Sequence, residues 1–221
     1  MEIKPIAIIE NEFPEKFGIP RQSGLVKTKS AILFEAPYRN PDAIRGLDGY
    51  SHIWLIWQFS ACEDRDWTPT VRPPRLGGNT RVGVFSTRSP FRPNSLGLSC
   101  VKLLGIENTE DKGNVLIVEG ADLMDGTPIY DIKPYLAYTD SHPDAVCGFA
   151  DSRLGYALEV TVDCNADIPP EKLDLIIEIL RNDPRPAYQD NPNRVYKMTA
   201  EGYNVEFTVC QGTLHVIKIE S

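Results

Sequence analysis

Short β-prone runs separated by turn residues are the feature that most constrains the fold of this 221-residue chain. The runs are rich in Val, Ile and aromatic residues, which favour strands, and Gly, Pro and Asp residues typical of turns separate them. Before residue 140 they lie at 3–9, 30–34, 52–59, 81–86, 98–106 and 114–121. Because no helical pattern of ordinary length stands between them, the sequence favours a barrel or curved sandwich over a doubly wound sheet.

The last third of the chain has a different pattern. In the run PPEKLDLIIEILRND (169–183), apolar residues recur at the spacing of one helix face, with charged residues between them. Three strand-like runs follow at 195–199, 203–210 and 213–219. We therefore expect a mainly β protein, with a small β-barrel domain over 1–148 and a small α+β domain over 149–221.

The beginning of the chain argues against a membrane protein. The run IKPIAIIENEF (3–13) is interrupted by Pro5 and followed by acids, so it is too short for a signal peptide or a membrane span. We therefore expect a cytoplasmic protein that does not bind membranes.

The cysteines and histidines do not form a recognisable metal motif. The five cysteines are far apart, without a CxxC pair, and the three histidines are scattered. We expect reduced, mostly buried thiols and no metal site.

The charge is unevenly distributed. The net charge of −8 argues against a generic nucleic-acid coat, whose affinity would come from Lys and Arg. The stretch 67–106, however, contains no Asp or Glu and carries six basic residues. This stretch is a local positive island in an acidic protein, and it suits an anionic ligand.

The centre of that island is RVGVFSTRSPFRPNSLGLS (81–99). Two prolines make the segment stiff and extended, so Arg88 and Arg92 would project from one face. Such a pair suits a carboxylate or a phosphate bound in bidentate geometry. The alternative is a solvated loop with two surface arginines.

A second polar segment is FGIPRQSGL (17–25). Its glycines bracket the rigid Pro20, which would hold Arg21 and Gln22 at fixed positions. An ordinary polar loop is the alternative.

A third segment is DLMDGTPIYDIKPY (122–135), in which Asp-Gly marks a turn. Asp125 and Asp131 could accept hydrogen bonds from a ligand or act as a general base, and Lys133 could neutralise one of them. A hairpin turn with solvated acids is the alternative.

A fourth segment, DPRPAYQ (183–189), places Arg185 near Tyr188. An arginine beside an aromatic ring suits phosphate contact and base stacking on single-stranded RNA. A plain linker would have the same composition.

Several common enzyme signatures are missing from the sequence. It has no GxGxxG after a strand, no phosphate-binding GxxxxGK[ST] loop, no GxSxG elbow and no HExxH. An ordinary nucleotide-binding or hydrolase fold is therefore not indicated.

The four segments, together with YSHIWLIWQF (50–59), resemble the TrmO family of tRNA methyltransferases, also called TsaA-like or YaeB-like proteins. The resemblance extends over almost the whole chain, and STRSPFRPNSLGLS and DGTPIYDIKPYL are its most distinctive strings. It implies a small β-barrel unlike the Rossmann-like methyltransferases, with a short C-terminal domain. It also explains the missing GxGxxG.

The resemblance implies a specific reaction. The family uses S-adenosyl-L-methionine to methylate N6 of N6-threonylcarbamoyladenosine at position 37 of threonine tRNAs, beside the anticodon. It also implies a homodimer with the cofactor pocket near the subunit interface. The positive island would then face two anions, the cofactor carboxylate and the tRNA.

The resemblance also implies site residues. Cofactor contact is expected from Pro20, Arg21, Gln22, Arg88, Leu98 and the turn Asp125, Gly126, Thr127 and Pro128. Phe59 and Ser60, at the end of an apolar strand, are candidates for the pocket floor. Substrate contact is expected from Arg92, Asn94 and Lys133 within the same motifs, and tRNA contact from Arg185 and Tyr188.

The proton on N6 must have an acceptor. The nearest candidates in the sequence are the catalytic residues Asp125, Asp131 and Tyr130. Two other functions remain open, a non-catalytic RNA-binding module and a barrel that binds S-adenosylmethionine as a sensor.

Overall fold

The computed structural model describes residues 2–62, 66–73, 76–153, 156–185 and 191–221. Strands dominate these residues, so the prediction of a mainly β chain is confirmed. The strands before residue 135 are β1 (Ala7–Glu10), β2 (Lys29–Phe34), β3 (His52–Gln58), β4 (Thr70–Val71), β5 (Val82–Gly83), β6 (Leu96–Thr109), β7 (Gly113–Glu119) and β8 (Pro128–Pro134).

Six of these strands form a closed barrel in the order β1-β2-β7-β6-β3-β8. Every neighbouring pair is antiparallel. Burial alternates along β3, where Ile53, Leu55 and Trp57 face the core and the residues between them are partly exposed. The barrel interior is filled by such inward apolar residues, as closure of a small sheet requires.

Two strand predictions in this region were wrong. The run 81–86 contains only the two-residue strand β5, which pairs with β4 and is followed by a 3₁₀ turn at Val84–Ser86. The alternation of apolar residues in this run is typical of a strand. The chain turns after Gly83 instead, and the Arg92 guanidinium donates hydrogen bonds to the carbonyls of Val84 and Thr87 in that turn. β8 was missed because it begins at Pro128 and ends at Pro134, and proline argues against a strand in the sequence. Proline is nevertheless tolerated at strand ends.

A second sheet follows the short helix α1 (Ala137–Asp140). Its elements are β9 (Glu159–Val162), α2 (Pro170–Arg181), β10 (Tyr196–Ala200), β11 (Tyr203–Cys210) and β12 (Thr213–Glu220). The strand order is β10-β11-β12-β9, with β9 parallel to β12. The predicted helix is confirmed, as are the three strands after it. β9 was missed.

The second sheet has its own core, but part of it comes from the beginning of the chain. Ile176, Ile179 and Leu180 of α2 are buried in the same cluster as Phe13 and Val26. Apolar burial of this kind is worth about 1.5–3 kcal/mol per large side chain. The segment between β1 and β2 is therefore fixed to both sheets.

Within the described ranges, no helix combines the length and the apolar composition that crossing a membrane requires. The four cysteine side chains that the structure describes form no disulfide bond, and Cys147 and Cys210 are exposed. The expectation of mostly buried thiols was therefore wrong, since Cys100 and Cys164 are only partly buried.

Candidate functional site

A cavity of about 490 Å³ opens beside the barrel between the ends of β3 and β6. Such a volume is in the usual range for small-molecule sites. Its described lining consists of Lys16, Ile19, Pro20, Arg21, Gln22, Trp54, Trp57, Phe59, Ser60, Ala61, Thr87, Arg88, Pro90, Arg92, Leu96, Gly97, Leu98, Asp122, Met124 and Thr127.

The loop 17–25 forms one wall of the cavity. It is fixed to the barrel where the Gly24 N–H donates to the Gly120 carbonyl at 2.8 Å. A Cβ on Gly120 would lie 3.1 Å from Gly24 Cα, and its φ of +86° also favours glycine. The two backbones can therefore meet closely only without a side chain at this point.

Arg21 connects this wall to the second sheet. Its Nη2 donates to the carbonyl oxygens of Asp183 and Arg185, both at 2.6 Å. These carbonyls are held in turn by a buried ion pair between the same residues, with Arg185 Nε 2.8 Å from Asp183 Oδ1. The turn 183–185 therefore positions a cationic residue of the cavity.

The loop 84–95 forms the opposite wall. Arg92 Nη1 donates to the Thr87 carbonyl at 2.6 Å and to the Val84 carbonyl at 3.3 Å, and its guanidinium lies 5.6 Å from the Phe85 ring centroid. Arg92 lines the cavity, but its guanidinium donates hydrogen bonds to carbonyls of its own loop. It therefore stabilises the conformation of that loop.

Arg88 projects across the cavity from the same loop. Its Nη1 donates to Gln22 Oε1, so the two walls meet through one hydrogen bond. Arg88 is exposed, so its guanidinium remains accessible to a ligand. The two arginines of the island thus have different environments, although the sequence places them four residues apart.

The floor of the cavity includes Trp57 and Asp122, which are connected by hydrogen bonds through the buried Ser99 hydroxyl. Trp57 Nε1 donates to Ser99 Oγ at 2.9 Å, and Ser99 Oγ donates to Asp122 Oδ1. Trp57 is paired across the sheet with Gly97, and its ring lies 4.3 Å from that of Phe59. Ser99 and Trp57 are both buried, so this series is protected from water.

Asp122 is the one acidic residue in the described lining of the cavity. Burial raises the pKa of its carboxyl above the usual range, and the hydrogen bond from Ser99 and the charge of Arg88 oppose that rise. A carboxyl with a raised pKa in a cleft is a candidate for proton transfer.

The turn after Asp122 completes the cavity. Thr127 Oγ donates to the Met124 carbonyl at 2.6 Å, and Gly126 has a φ of +73°. Asp125 Oδ1 accepts the Asn11 N–H at 2.9 Å, so this carboxylate joins the turn to the segment after β1. Only Thr127 of the expected turn residues is in the described lining.

Many expected cofactor residues lie together at the cavity. The described lining includes Pro20, Arg21, Gln22, Phe59, Ser60, Arg88, Leu98 and Thr127 from that set. It does not include Asp125, Gly126 and Pro128. Leu98 is 56% exposed, which is unusual for a leucine and leaves an apolar surface beside the cavity.

The expected catalytic residues lie elsewhere. Asp131 forms an ion pair with Lys133 at 3.1 Å, and both side chains are exposed. The Tyr130 hydroxyl donates to Gln58 Oε1. Neither they nor Asp125 are in the described lining, so their catalytic roles stay predictions.

The residues expected to contact substrate are dispersed. Arg92 lines the cavity, whereas Asn94 is exposed on the same loop and absent from the described lining. Arg185 is only 7% exposed and is paired with Asp183, which argues against direct contact between its guanidinium and tRNA. Tyr188 lies outside the described residues.

The sequence predicted Phe59 and Ser60 at the cavity, but it did not indicate Trp57, Gly97 or Asp122. Trp57 lies in a run predicted only as a strand, Gly97 lies in the cationic segment 81–99, and Asp122 begins the segment in which Asp125 and Asp131 were the candidates. No periodic signal marks these residues, because their proximity comes from the pairing of β3 with β6. The close contact between Gly97 and Trp57 can be recognised only once the register of β3 and β6 is known.

Comparison with known proteins gives a consistent result. The family model for the tRNA-methyltransferase O N-terminal domain matches residues 8–141, and that for the TrmO C-terminal domain matches 156–221. The chain is 40% identical over 232 residues to the Escherichia coli protein named "tRNA (adenine(37)-N6)-methyltransferase", covering 99% of this chain and 97% of that one.

Two further proteins are similar. A Methanothermobacter thermautotrophicus protein named "Probable S-adenosyl-L-methionine-binding protein" is 34% identical over 141 residues, covering 64% of this chain and 94% of that one. The crystal structure of TrmO from Pseudomonas aeruginosa superposes with a TM-score of 0.77 at 29% identity, covering 100% of this chain and 99% of that chain. Both family models and the full-length relative agree with the motifs and the fold, and the chain belongs to the TrmO family.

Proposed function

We propose that this protein transfers a methyl group from S-adenosylmethionine to N6 of adenine 37 in tRNA. The observation that carries the proposal is the cavity in which several family motifs meet, at one end of a barrel in a TrmO family member. S-adenosylmethionine supplies an electrophilic methyl group. Alignment of this methyl group with the adenine nitrogen can supply much of the rate acceleration.

The chemistry of the lining fits this cofactor. Arg88 can bind a carboxylate, because a guanidinium forms charge-assisted hydrogen bonds with it. Trp57 and Phe59 offer apolar and aromatic surface. The aliphatic surface of Leu98 extends the apolar part to the rim.

The finer substrate is N6-threonylcarbamoyladenosine in threonine tRNA. Its threonyl carboxylate and the phosphates of an anticodon loop are anions, and the described cationic residues at the cavity are Lys16, Arg21, Arg88 and Arg92. Position 37 lies in an unpaired loop, so the cost of unstacking the base is small. The expected contacts from Asn94, Lys133 and Tyr188 stay predictions, whereas the burial of Arg185 against Asp183 argues against direct contact between its guanidinium and tRNA.

The organisation proposed is a cytoplasmic homodimer with a barrel domain over 1–148 and a tRNA-contacting α+β domain over 149–221. Leu98 at the cavity and the 72% exposed Phe85, whose ring lies beside the Arg92 guanidinium, provide apolar surface that suits a subunit contact near the site. Analytical ultracentrifugation of the full chain would test the dimer.

The proposed reaction has a direct test. Calorimetry should show saturable binding of S-adenosylmethionine, and incubation with tRNA from a strain lacking this protein should yield a methylated adenosine at position 37 by mass spectrometry. Threonine tRNA without the threonylcarbamoyl group should be a much poorer substrate. Binding of S-adenosylmethionine without methyl transfer would favour a sensor, and tRNA binding without S-adenosylmethionine binding would favour an RNA-binding module.

Arg88→Ala should weaken S-adenosylmethionine binding. Loss of a charged hydrogen bond costs about 1.5–3 kcal/mol, so the dissociation constant should rise roughly 10- to 100-fold by calorimetry. Arg81→Ala is the matched control, since Arg81 belongs to the same island but donates to Thr70 Oγ1 and is not in the described lining. Equal losses in both variants would mean that general positive charge, rather than Arg88 contact, attracts the cofactor.

A further inference from the structure

The reaction requires a proton acceptor that faces the reacting nitrogen. N6 carries a proton in the substrate and loses it as the methyl group is transferred. Asp125, Tyr130 and Asp131 each bond to another protein group and are absent from the described lining of the cavity. The acceptor should instead be a group that lines the cavity.

Asp122 meets the geometric requirement. It lines the cavity, and its carboxylate accepts a hydrogen bond from the Ser99 hydroxyl. An ionised carboxylate has about four acceptor positions, so this donor leaves positions open for the proton of N6. The same hydrogen bond fixes the orientation of the carboxylate.

The charges around Asp122 keep it able to act as a base. Four cations line the same cavity: Lys16, Arg21, Arg88 and Arg92. Of these, Arg88 acts on Asp122 directly and favours its ionised form, while burial raises the pKa of the carboxyl towards the range in which a base works efficiently. No second carboxylate in the described lining competes for the proton.

We propose that Asp122 is the catalytic carboxylate that takes the proton from N6 of adenine 37, with Ser99 and Trp57 as positioning residues. The proposal rests on the proposed function. The N6–H bond breaks and its proton goes to an Asp122 oxygen. The electron pair left on N6 forms the new bond to the methyl carbon, and the pair of the broken carbon–sulfur bond stays on sulfur. Asp122 then returns the proton to solvent.

Asp122→Asn should greatly lower the rate of the methyl-transfer step. Asparagine is of the same size and can still accept the Ser99 hydrogen bond, but it cannot take a proton at neutral pH. General-base catalysis contributes about 10²- to 10⁴-fold, so the single-turnover rate should fall by at least about 100-fold. The affinity for S-adenosylmethionine, measured by calorimetry, should change by less than about fourfold, because less than 1 kcal/mol of binding is lost.

A matched control is Glu201→Gln. Burial also raises the pKa of the Glu201 carboxyl, but this residue lies in the turn between β10 and β11 and is not in the described lining. Its removal should leave the single-turnover rate unchanged. A loss of rate in both variants would show that any buried carboxyl affects activity through folding, and would overturn the proposal.

Ser99→Ala gives an independent test that a structural role would not pass. Because the Ser99 hydrogen bond lowers the pKa of Asp122, its removal should raise this pKa, measurable in the ligand-free protein by carbon-13 NMR of the carboxyl. The base form would then be lost at higher pH. The acid limb of the pH–rate profile should therefore move to higher pH by the same amount.

Three further results would overturn the assignment. One is an Asp122→Asn rate within tenfold of wild type. Another is a loss of S-adenosylmethionine affinity that matches the loss of rate, which would make Asp122 a cofactor-binding residue. The third is an acid limb that stays in place in Ser99→Ala while the carboxyl pKa moves. Failure of the proposed function is distinguishable, since the wild type itself would then not methylate tRNA.

Discussion

Gly97→Ala should both destabilise the protein and close its cavity. A Cβ at this position would lie 2.3 Å from Cε2 and 2.5 Å from Cζ2 of Trp57, which is far inside van der Waals contact. Trp57 is 5% exposed in the barrel core, so its ring can move only by displacing neighbours or by entering the cavity. Overpacking of this kind costs about 1–3 kcal/mol, or about 2–12 °C in Tm for a chain of this size.

Function should be impaired as well. An indole displaced into the cavity would occupy space that the cofactor needs, because Trp57 lines the cavity. S-adenosylmethionine affinity should fall at least tenfold, about 1.4 kcal/mol, when measured by calorimetry below the melting transition.

Gly105→Ala is the matched control for this substitution. Gly105 belongs to the same strand, β6, but a Cβ there would meet nothing within 4 Å. Its Tm and affinity should be unchanged. The double variant Gly97→Ala with Trp57→Phe should recover part of the Tm, because the smaller ring leaves room for the methyl group. If Gly97→Ala behaves like Gly105→Ala, the cavity floor does not depend on this close contact.

Asp183→Ala should have the second large effect. Asp183 is 6% exposed and accepts hydrogen bonds from Arg185 Nε at 2.8 Å, Arg185 Nη2 at 3.1 Å and the Tyr156 hydroxyl at 3.2 Å. Removing the carboxylate breaks the buried ion pair with the Arg185 guanidinium, at a cost of about 3–5 kcal/mol. Its φ of 49° adds strain, since alanine rarely adopts the left-handed region.

Thermal denaturation should therefore show a Tm lower by roughly 6–20 °C. Cofactor affinity should fall as well, because the carbonyls of Asp183 and Arg185 position Arg21 at the cavity. The expected loss of cofactor affinity would show that the second sheet influences a site beside the barrel.

Asp163→Ala is the matched control, since the same substitution there breaks a solvent-exposed pair with His215. Exposed pairs contribute about 0–1 kcal/mol, so its Tm should fall by no more than about 4 °C. Adding Arg185→Met to Asp183→Ala should restore part of the stability, because it removes the buried charge that the Asp183 carboxylate no longer balances. A double variant that melts lower than Asp183→Ala alone would contradict this account of the turn.

Much of the fold could be predicted from local pattern. The amphipathic helix 170–181 and the strand 203–210 have unambiguous periods of 3.6 and 2, and both are present. β5 and β8 were not correctly predicted, because prolines and long-range hydrogen bonds determine them more than side-chain alternation does. Local propensity is reliable only where packing agrees with it.

The site was predictable where one segment carries several functional groups. Arg21, Gln22 and Arg88 were found because glycine and proline fix the backbone around cationic and polar side chains, and these residues meet at the cavity. Asp125 and Asp131 were predicted to accept the proton because they lie close in the sequence to the other expected site residues. The structure instead brings Asp122 to the cavity, where its carboxylate accepts a hydrogen bond from Ser99 of β6.

Residue order and composition alone were enough to establish the strand-rich character, the acid-free cationic stretch and the family. Folding of the chain sets which cations face the cavity and which hold a loop, as the contrast between Arg88 and Arg92 illustrates. It also buried Arg185 against Asp183 and placed Asp122 beneath the site. These outcomes depend on strand register and on contacts between distant segments, and such contacts leave no local pattern for a sequence to display.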